Sequence, residues 1–102
     1  MIYVIATIEL AEGKRALYLE ELGKIIPLVR SENGCLEYGP SADVPTGIPV
    51  QEPINEGTIT IIERWSDVDA LKIHLTAPHL LSYREAVKDY VKLVRIRVLS
   101  PL

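Results

Sequence analysis

The sequence predicts an α+β protein of ferredoxin-like βαββαβ order, and two observations support this prediction. Residues 2–10, 58–65 and 94–98 alternate their side chains with a period of two, which is typical of strands. Segments with apolar residues at helical spacing lie between them, so the order is strand, helix, strand, strand, helix pair, strand. Two βαβ units in this order form an antiparallel four-stranded sheet with its helices on one face.

The first predicted helix follows the strand at residues 2–10, which has apolar residues on both faces and should be covered on both sides. Pro27 is expected to kink this helix, because proline lacks a backbone donor and crowds the carbonyl of Gly23. The helix should end near Glu32-Asn33-Gly34, where Gly34 suits a left-handed cap. Its buried stripe is predicted to consist of Leu19, Leu22, Ile26 and Val29.

A long irregular segment follows the short second strand, which is predicted at residues 35–38. From Gly39 to Gly57 the chain holds four prolines, three glycines and no periodicity. Connections of this length are uncommon in compact domains, and they are usually functional or disordered. The composition is compatible with a lid or a subunit contact, and equally with a plain surface excursion.

The predicted helix pair follows the third strand. Ser66 and Asp69 form a capping-box pattern, which indicates that a short helix begins at residue 67 and ends at Leu75. Thr76 can cap a second helix that has Pro78 near its first position, where the missing donor does no harm. One face of this second helix is predicted to carry Leu80, Arg84, Val87 and Val91.

Composition limits the classes of protein to consider. The 102 residues fit a single domain spanning residues 1–102, and the apolar fraction of 48% is ordinary for a globular chain. No apolar run is long enough for a membrane span, and Met1 leads into the first strand without a basic n-region, so the cytoplasm is the expected location. The net charge of −3 and the scattered basic residues argue against nucleic acid as a partner. Cys35 is the single cysteine, which excludes an internal disulfide.

One face of the predicted sheet would be left without helices. This face should carry apolar residues, and an exposed apolar sheet face normally needs a partner. A homodimer in which the two sheets face each other is the expected arrangement. The residues expected on this open face include Ile5, Thr7, Ile62 and Leu93.

Residues 63–79 are the expected location of a reacting centre. They contain the single tryptophan, Trp65, and both histidines of the chain, His74 and His79. The two histidines are five residues apart rather than at the i, i+4 spacing of helical zinc sites, and no further His or Cys lies near them. No metal site is therefore predicted.

Two motifs resemble signatures of the antibiotic biosynthesis monooxygenase family. Residues 32–38, Glu-Asn-Gly-Cys-Leu-Glu-Tyr, are similar to the family's Glu-Pro-Gly-Cys-Leu-x-Tyr segment. Residues 63–65 and 70–79 resemble its Glu-x-Trp motif followed by Ala-x-x-x-His and Pro-His. The resemblance covers nearly the whole chain except residues 39–57.

The resemblance implies a dimeric α+β barrel. It also implies a monooxygenase that oxidises a quinol or a polyketide-type small aromatic substrate without metal, flavin or other cofactor. Some family members instead degrade haem or isomerise small signalling molecules. Haem-degrading members have an Asn in the first strand and a ligand His in the last helix. This chain has Ala6-Thr7 and Tyr83-Arg84 in these regions, which disfavours haem cleavage.

A monooxygenase without a cofactor needs a base and a dry pocket, because a phenol donates an electron to dioxygen readily only after it loses a proton. His74 is the predicted catalytic base, since histidine titrates near neutral pH, although a core histidine bonded to a carbonyl is an equally good interpretation. The predicted substrate contacts are Trp65, His79, Tyr38, Tyr83 and Glu63. Each has a structural alternative: His79 could form a helix-end hydrogen bond, Trp65 could be part of the core, and Glu63 could pair with an arginine or a backbone donor. The two tyrosines could be ordinary residues at the boundary between core and solvent.

Two other functional classes agree with the same sequence. A non-catalytic dimeric protein that binds a small ligand would use the same pocket without a base of suitable pKa. An isomerase of a small metabolite would use His74 without dioxygen.

Overall fold

The computed structural model describes residues 1–102 and confirms the predicted order of elements. None of its three helices is long and apolar enough to cross a membrane. The elements are β1 (Ile2–Leu10), α1 (Arg15–Arg30), β2 (Cys35–Ser41), β3 (Thr58–Trp65), α2 (Val68–Leu75), α3 (Pro78–Val87) and β4 (Val91–Leu99).

The four strands form one sheet in the order β2-β3-β1-β4, and every neighbouring pair is antiparallel. This is the predicted ferredoxin-like arrangement. Along β1 the side chains alternate strictly between buried and half-buried, as a strand with one face on the core requires. The buried set shares the core with side chains of the three helices and consists of Ile2, Val4, Ala6, Ile8 and Leu10.

Helix α1 buries a stripe that differs from the predicted one. Leu19 and Ile26, which were expected in the stripe, are only partly buried. The helix continues through Pro27 as far as Arg30, so the kink stays a prediction. Ser31, not Gly34, is its C-cap, because the chain leaves the helix three residues before that glycine. The buried stripe consists of Tyr18, Leu22, Ile25 and Val29.

The cap of α2 lies one residue beyond the predicted position. Asp67, not Ser66, is the N-cap, and its Oδ1 accepts a hydrogen bond of 2.8 Å from the backbone N–H of Ala70. The extended backbone at Asp67, with φ −162°, places its carboxylate over the first turn. Ser66 instead joins β3 to the helix, and its N–H bonds the carbonyl of Gly34.

Helix α3 also begins and ends differently from the prediction. Thr76 is the C-cap of α2, and α3 starts from Ala77 without a side-chain cap. Pro78 does occupy the first turn, as predicted. The helix ends at Val87, so Val91 is not part of its buried face but begins β4.

Strand β2 is three residues longer than predicted and ends at Ser41, so the irregular segment comprises residues 42–57. Pro40 is tolerated because β2 lies at the edge of the sheet, where one row of backbone donors has no partner strand. Within the segment, Asp43 Oδ2 accepts a bond of 2.8 Å from Asn55 N, and the side chain of Gln51 donates to the Val44 carbonyl at 2.8 Å. None of these residues lines the cavity between the sheet and helices α2 and α3.

Strand β4 forms the other edge of the sheet, and the helices do not cover it. Its helix-side residues Val94, Ile96 and Val98 pair with buried residues of β1, yet they remain about half exposed at 53%, 48% and 45%. The space between β4 and α3 is therefore open to the outside.

Candidate active site

A cavity of about 430 Å³ lies between the helix side of the sheet and helices α2 and α3. This volume is within the range of small-molecule sites. Of its 15 lining residues, 11 are hydrophobic, so its walls disfavour bulk water. Val94 and Ile96 of β4 are among them, which places the opening beside the uncovered edge strand.

Four elements each bring one polar candidate residue to this cavity. Tyr38 comes from β2, Glu63 from β3, His74 from α2 and Tyr83 from α3. All four were selected from the sequence as site residues. Arg84 of α3 and Lys88, the residue that follows this helix, add two cations to the lining, but Lys88 is already bonded to Glu85 at 2.7 Å.

Trp65 and His79, the remaining predicted contacts, do not line the cavity. The Trp65 side chain is fully buried, and its ring packs against that of His74 with centroids 4.6 Å apart. His79 lies at the start of α3 and is 23% exposed. Both residues therefore contact groups of the site rather than the cavity itself.

His74 has one ring nitrogen bound and one free. Its side chain is 3% exposed, and Nδ1 lies 2.8 Å from Oε2 of Glu32. A carboxylate can only accept, so Nδ1 carries the proton and Nε2 keeps its lone pair. Nε2 has no protein partner and is not sealed from solvent, since Glu32 Oε1 is the one sealed side-chain polar atom without a partner. His74 lines the cavity, and Nε2 is the acceptor that its ring has left to offer there.

Burial lowers the pKa of His74 below its ordinary value, although the hydrogen bond and the charge of Glu32 oppose this effect. His74 is therefore neutral at neutral pH. A neutral imidazole with a free Nε2 can take a proton from a bound hydroxyl group, as a general base must.

Glu32 was not among the site residues predicted from the sequence. Its Oε2 accepts from His74 Nδ1 at 2.8 Å and from His79 Nε2 at 2.9 Å. The one indication of its role in the sequence is its position as the first residue of the motif in residues 32–38. The contacts themselves join residues 42 and 47 positions apart, which local patterns do not reveal.

The turn that holds Glu32 is fixed by Gly34. This glycine has φ +86°, and its carbonyl accepts from Ser66 N at 2.8 Å. A Cβ at this position would lie 2.6 Å from Ser66 Oγ and 2.7 Å from Ala70 Cβ. Only glycine allows this approach, which docks the turn after α1 onto the start of α2.

Glu63 and Trp65 lie on the same face of β3, as the alternation predicted. The carboxylate was expected to pair with an arginine or a backbone donor, but its partner is the indole, because Trp65 Nε1 donates to Glu63 Oε1 at 2.9 Å. Arg64 points to the opposite face, 3.5 Å from Glu37. Burial raises the pKa of Glu63 to about 7; the Trp65 hydrogen bond opposes the shift, and the Glu32 charge adds to it.

The raised pKa of Glu63 predicts a pH dependence of stability. Between about pH 4.5 and about pH 7 the folded state holds a proton on Glu63 that the unfolded state has lost. The free energy of unfolding should therefore fall as pH rises through this window, by about 3 kcal/mol from this group. Urea unfolding of wild type and Glu63→Gln across the window measures the effect. The difference between the two proteins should change with pH, and a constant difference would contradict the prediction.

The phenols of Tyr38 and Tyr83 complete the polar lining of the cavity. The Tyr83 hydroxyl is 2.6 Å from that of Tyr18, which is completely buried and does not line the cavity. Burial raises the pKa of Tyr38 and of Tyr83, so both phenols stay neutral and can donate to an oxygen of a bound molecule. No three His, Cys, Asp or Glu side chains are grouped as a metal site.

The antiparallel sheet, its helix pair and its cavity place the chain in a class of small α+β proteins with known structures. The Pseudomonas aeruginosa protein PA3566 aligns with a TM-score of 0.82 at 28% identity, covering 99% of this chain and 93% of that one. Rv0793 from Mycobacterium tuberculosis aligns with a TM-score of 0.81 at 27% identity, covering 99% and 94%.

Sequence comparison identifies the family. The Escherichia coli protein named "Probable quinol monooxygenase YgiN" is 38% identical over 103 residues, which cover 99% of this chain and 98% of that protein. A family model described as antibiotic biosynthesis monooxygenase matches residues 1–86. The chain belongs to the antibiotic biosynthesis monooxygenase family, which confirms the resemblance of its two motifs.

Proposed function

We propose that this protein is a cofactor-independent monooxygenase that oxidises a quinol or a polyketide-type aromatic with dioxygen, with His74 as the base. The observation that carries the proposal is the free Nε2 of His74 at an apolar cavity of about 430 Å³. The name of the E. coli relative supports a quinol as the substrate class.

The reaction requires few groups from the protein. The substrate hydroxyl gives its proton to His74 Nε2, and the resulting phenolate gives one electron to dioxygen. The aryloxyl radical and superoxide combine at a ring carbon, and cleavage of the O–O bond leaves one oxygen atom on the ring. The second oxygen atom leaves as water, so a quinol and dioxygen give a hydroxyquinone and water.

The remaining cavity residues fit this sequence of steps. Tyr38 and Tyr83 are neutral and can donate hydrogen bonds to the oxygens of the substrate. Glu63, with a pKa of about 7, can give and accept a proton when the O–O bond breaks. The apolar walls keep water from the radical pair, which would otherwise react with solvent.

Oxygen uptake tests the proposal directly. Purified protein is mixed with a panel of quinols and hydroxylated polycyclic aromatics in an oxygen-electrode cell, and the products are analysed by mass spectrometry under ¹⁸O₂. We expect one dioxygen consumed and one ¹⁸O retained for each substrate oxidised. Turnover that proceeds without dioxygen would replace this function with an isomerase. Tight binding without any turnover would replace it with a small-ligand binder.

We also propose that the protein is a homodimer that pairs through the open face of the sheet. Ile5 and Ile62 are opposite each other in the β1–β3 register, and both point away from the helices. Leu93, opposite Glu9, shares this face and is 48% exposed. Burying these apolar side chains against a second copy would stabilise the pair in proportion to the area removed from water.

Replacing Ile62 with Asp should dissociate this dimer, because the interface would then contain an unpaired charge. Sedimentation velocity at micromolar concentration is expected to give a dimer for wild type and a monomer for Ile62→Asp. Ile73→Asp is the matched control, since Ile73 is 70% exposed on α2 and far from the open face. A monomeric wild type would refute the dimer.

A further inference from the structure

We infer that Glu32 is the positioning residue of this site: its carboxylate selects the His74 tautomer whose Nε2 can accept a proton from the substrate. The inference deepens the proposed function, because the base it positions is the one proposed there. Glu32 itself does not line the cavity, so it acts on a substrate only through His74.

Glu32 Oε2 accepts hydrogen bonds from two imidazole rings, and this decides which nitrogen of His74 carries the proton. Two imidazole nitrogens, His74 Nδ1 and His79 Nε2, lie 2.8 Å and 2.9 Å from this one oxygen. Both nitrogens must donate, because an ionised carboxylate has no proton to give. His74 is therefore held with Nδ1 protonated, and its lone pair is confined to Nε2.

The second oxygen of Glu32 gives independent support. Glu32 Oε1 is the one buried side-chain polar atom in the chain without a hydrogen-bond partner. An unsatisfied buried oxygen is costly, and native proteins seldom keep one without a functional reason. No arginine or lysine pairs with Glu32, so the only hydrogen-bonded partners of its carboxylate are the two imidazoles.

The Glu32 carboxylate also stabilises the charge that forms on His74 when it accepts the substrate proton. When Nε2 takes the substrate proton, His74 becomes an imidazolium in a largely apolar site, which burial alone would strongly disfavour. The Glu32 carboxylate, 2.8 Å from Nδ1, compensates the new charge without moving. The proton leaves again from Nε2, so the step requires no proton transfer between Nδ1 and Glu32.

Other charged and titratable groups also face His74. Glu63 on β3 and Tyr38 on β2 share its cavity, and His79 and Arg84 on α3 lie near it. The charges of His79 and Arg84 act against a proton on His74. Glu32 is thus the group in direct contact that favours the protonated form.

The nitrogen-15 spectrum of the histidine rings tests this assignment without any substrate. At neutral pH, wild-type His74 is expected to show a protonated Nδ1 and an unprotonated Nε2. The opposite tautomer in the wild type would overturn the inference without a variant. If the tautomer is as expected but no oxygen uptake is found, the proposed function fails while the assignment to Glu32 stands.

Glu32→Gln separates positioning from packing, since the glutamine keeps the size of the side chain and can still accept from one ring. We expect the His74 pKa to fall, because the variant removes the opposite charge that favours the protonated ring. With an oxidisable quinol, the acid limb of the kcat pH profile should shift in the same direction, and KM should change little. Unchanged His74 pKa and tautomer in a folded variant would overturn the inference.

His79→Gln is the matched control, because its amide can still donate to Glu32 Oε2. In this variant the His74 tautomer should be retained.

Trp65 provides a second measurement of His74 protonation, since it is the single tryptophan and its ring lies 4.6 Å from that of His74. Its fluorescence should fall as His74 becomes protonated, and the midpoint should move to lower pH in Glu32→Gln. A midpoint that is identical in both proteins would contradict the inference.

Discussion

His74→Ala is expected to lower kcat by about 10²- to 10⁴-fold with little change in KM, because general-base catalysis contributes this much and acts on the chemical step rather than on binding. The measurement is oxygen uptake with a quinol that wild type oxidises. Exogenous imidazole should restore part of the rate, since the alanine leaves space for a ring beside Glu32.

Two controls define what this result means. His79→Gln should retain most of the activity, because His79 does not line the cavity. Thermal unfolding of His74→Ala shows whether the rate loss reflects a lost base or a lost fold. Full activity of a folded His74→Ala would assign the base to Glu63, whose burial at the cavity raises its pKa to about 7.

The sheet could be predicted because its signal is local. Alternating side chains along residues 2–10 and 58–65 follow from the backbone geometry of a strand, and both segments are strands in the structure. The same alternation placed Glu63 and Trp65 on one face. It could not show that Trp65 lies behind His74 rather than at the cavity, since this depends on how α2 packs on β3.

The helix ends were less predictable because several residues compete to cap each of them. Ser66 and Asp67 are both good N-cap residues, and the extended backbone at Asp67 decided between them. Thr76 lies between two helices and belongs to the end of the first one. Each error moved a boundary by one or a few residues and left the order of elements unchanged.

The arrangement around Glu32 lay beyond the reach of sequence patterns. It requires the turn after α1, the start of α2 and the start of α3 to meet at one point. Periodicity describes each element separately, and it carries no information on contacts between residues 42 or 47 positions apart. Gly34 was predicted to adopt a left-handed conformation, which it does, but its close approach to Ser66 and Ala70 depends on the tertiary structure.

Gly34→Ala should therefore cause a large loss of stability. The left-handed backbone at this position costs about 1–2 kcal/mol for a residue with a side chain. The added methyl group would also meet Ser66 Oγ at 2.6 Å and Ala70 Cβ at 2.7 Å, and overpacking of this kind costs about 1–3 kcal/mol more. Urea unfolding should show a decrease of about 2–5 kcal/mol in the free energy of unfolding.

Gly13→Ala separates these two contributions. Gly13 has φ +75°, close to the value at Gly34, but nothing lies within 4 Å of a Cβ built there. The free energy of unfolding of Gly13→Ala should decrease only by the cost of the left-handed backbone, about 1–2 kcal/mol, and the variant should keep full activity. In Gly34→Ala the turn must withdraw from α2, which moves Glu32 away from His74, so the His74 tautomer should become mixed. Equal losses of stability in the two variants would show that the turn does not dock as tightly as described.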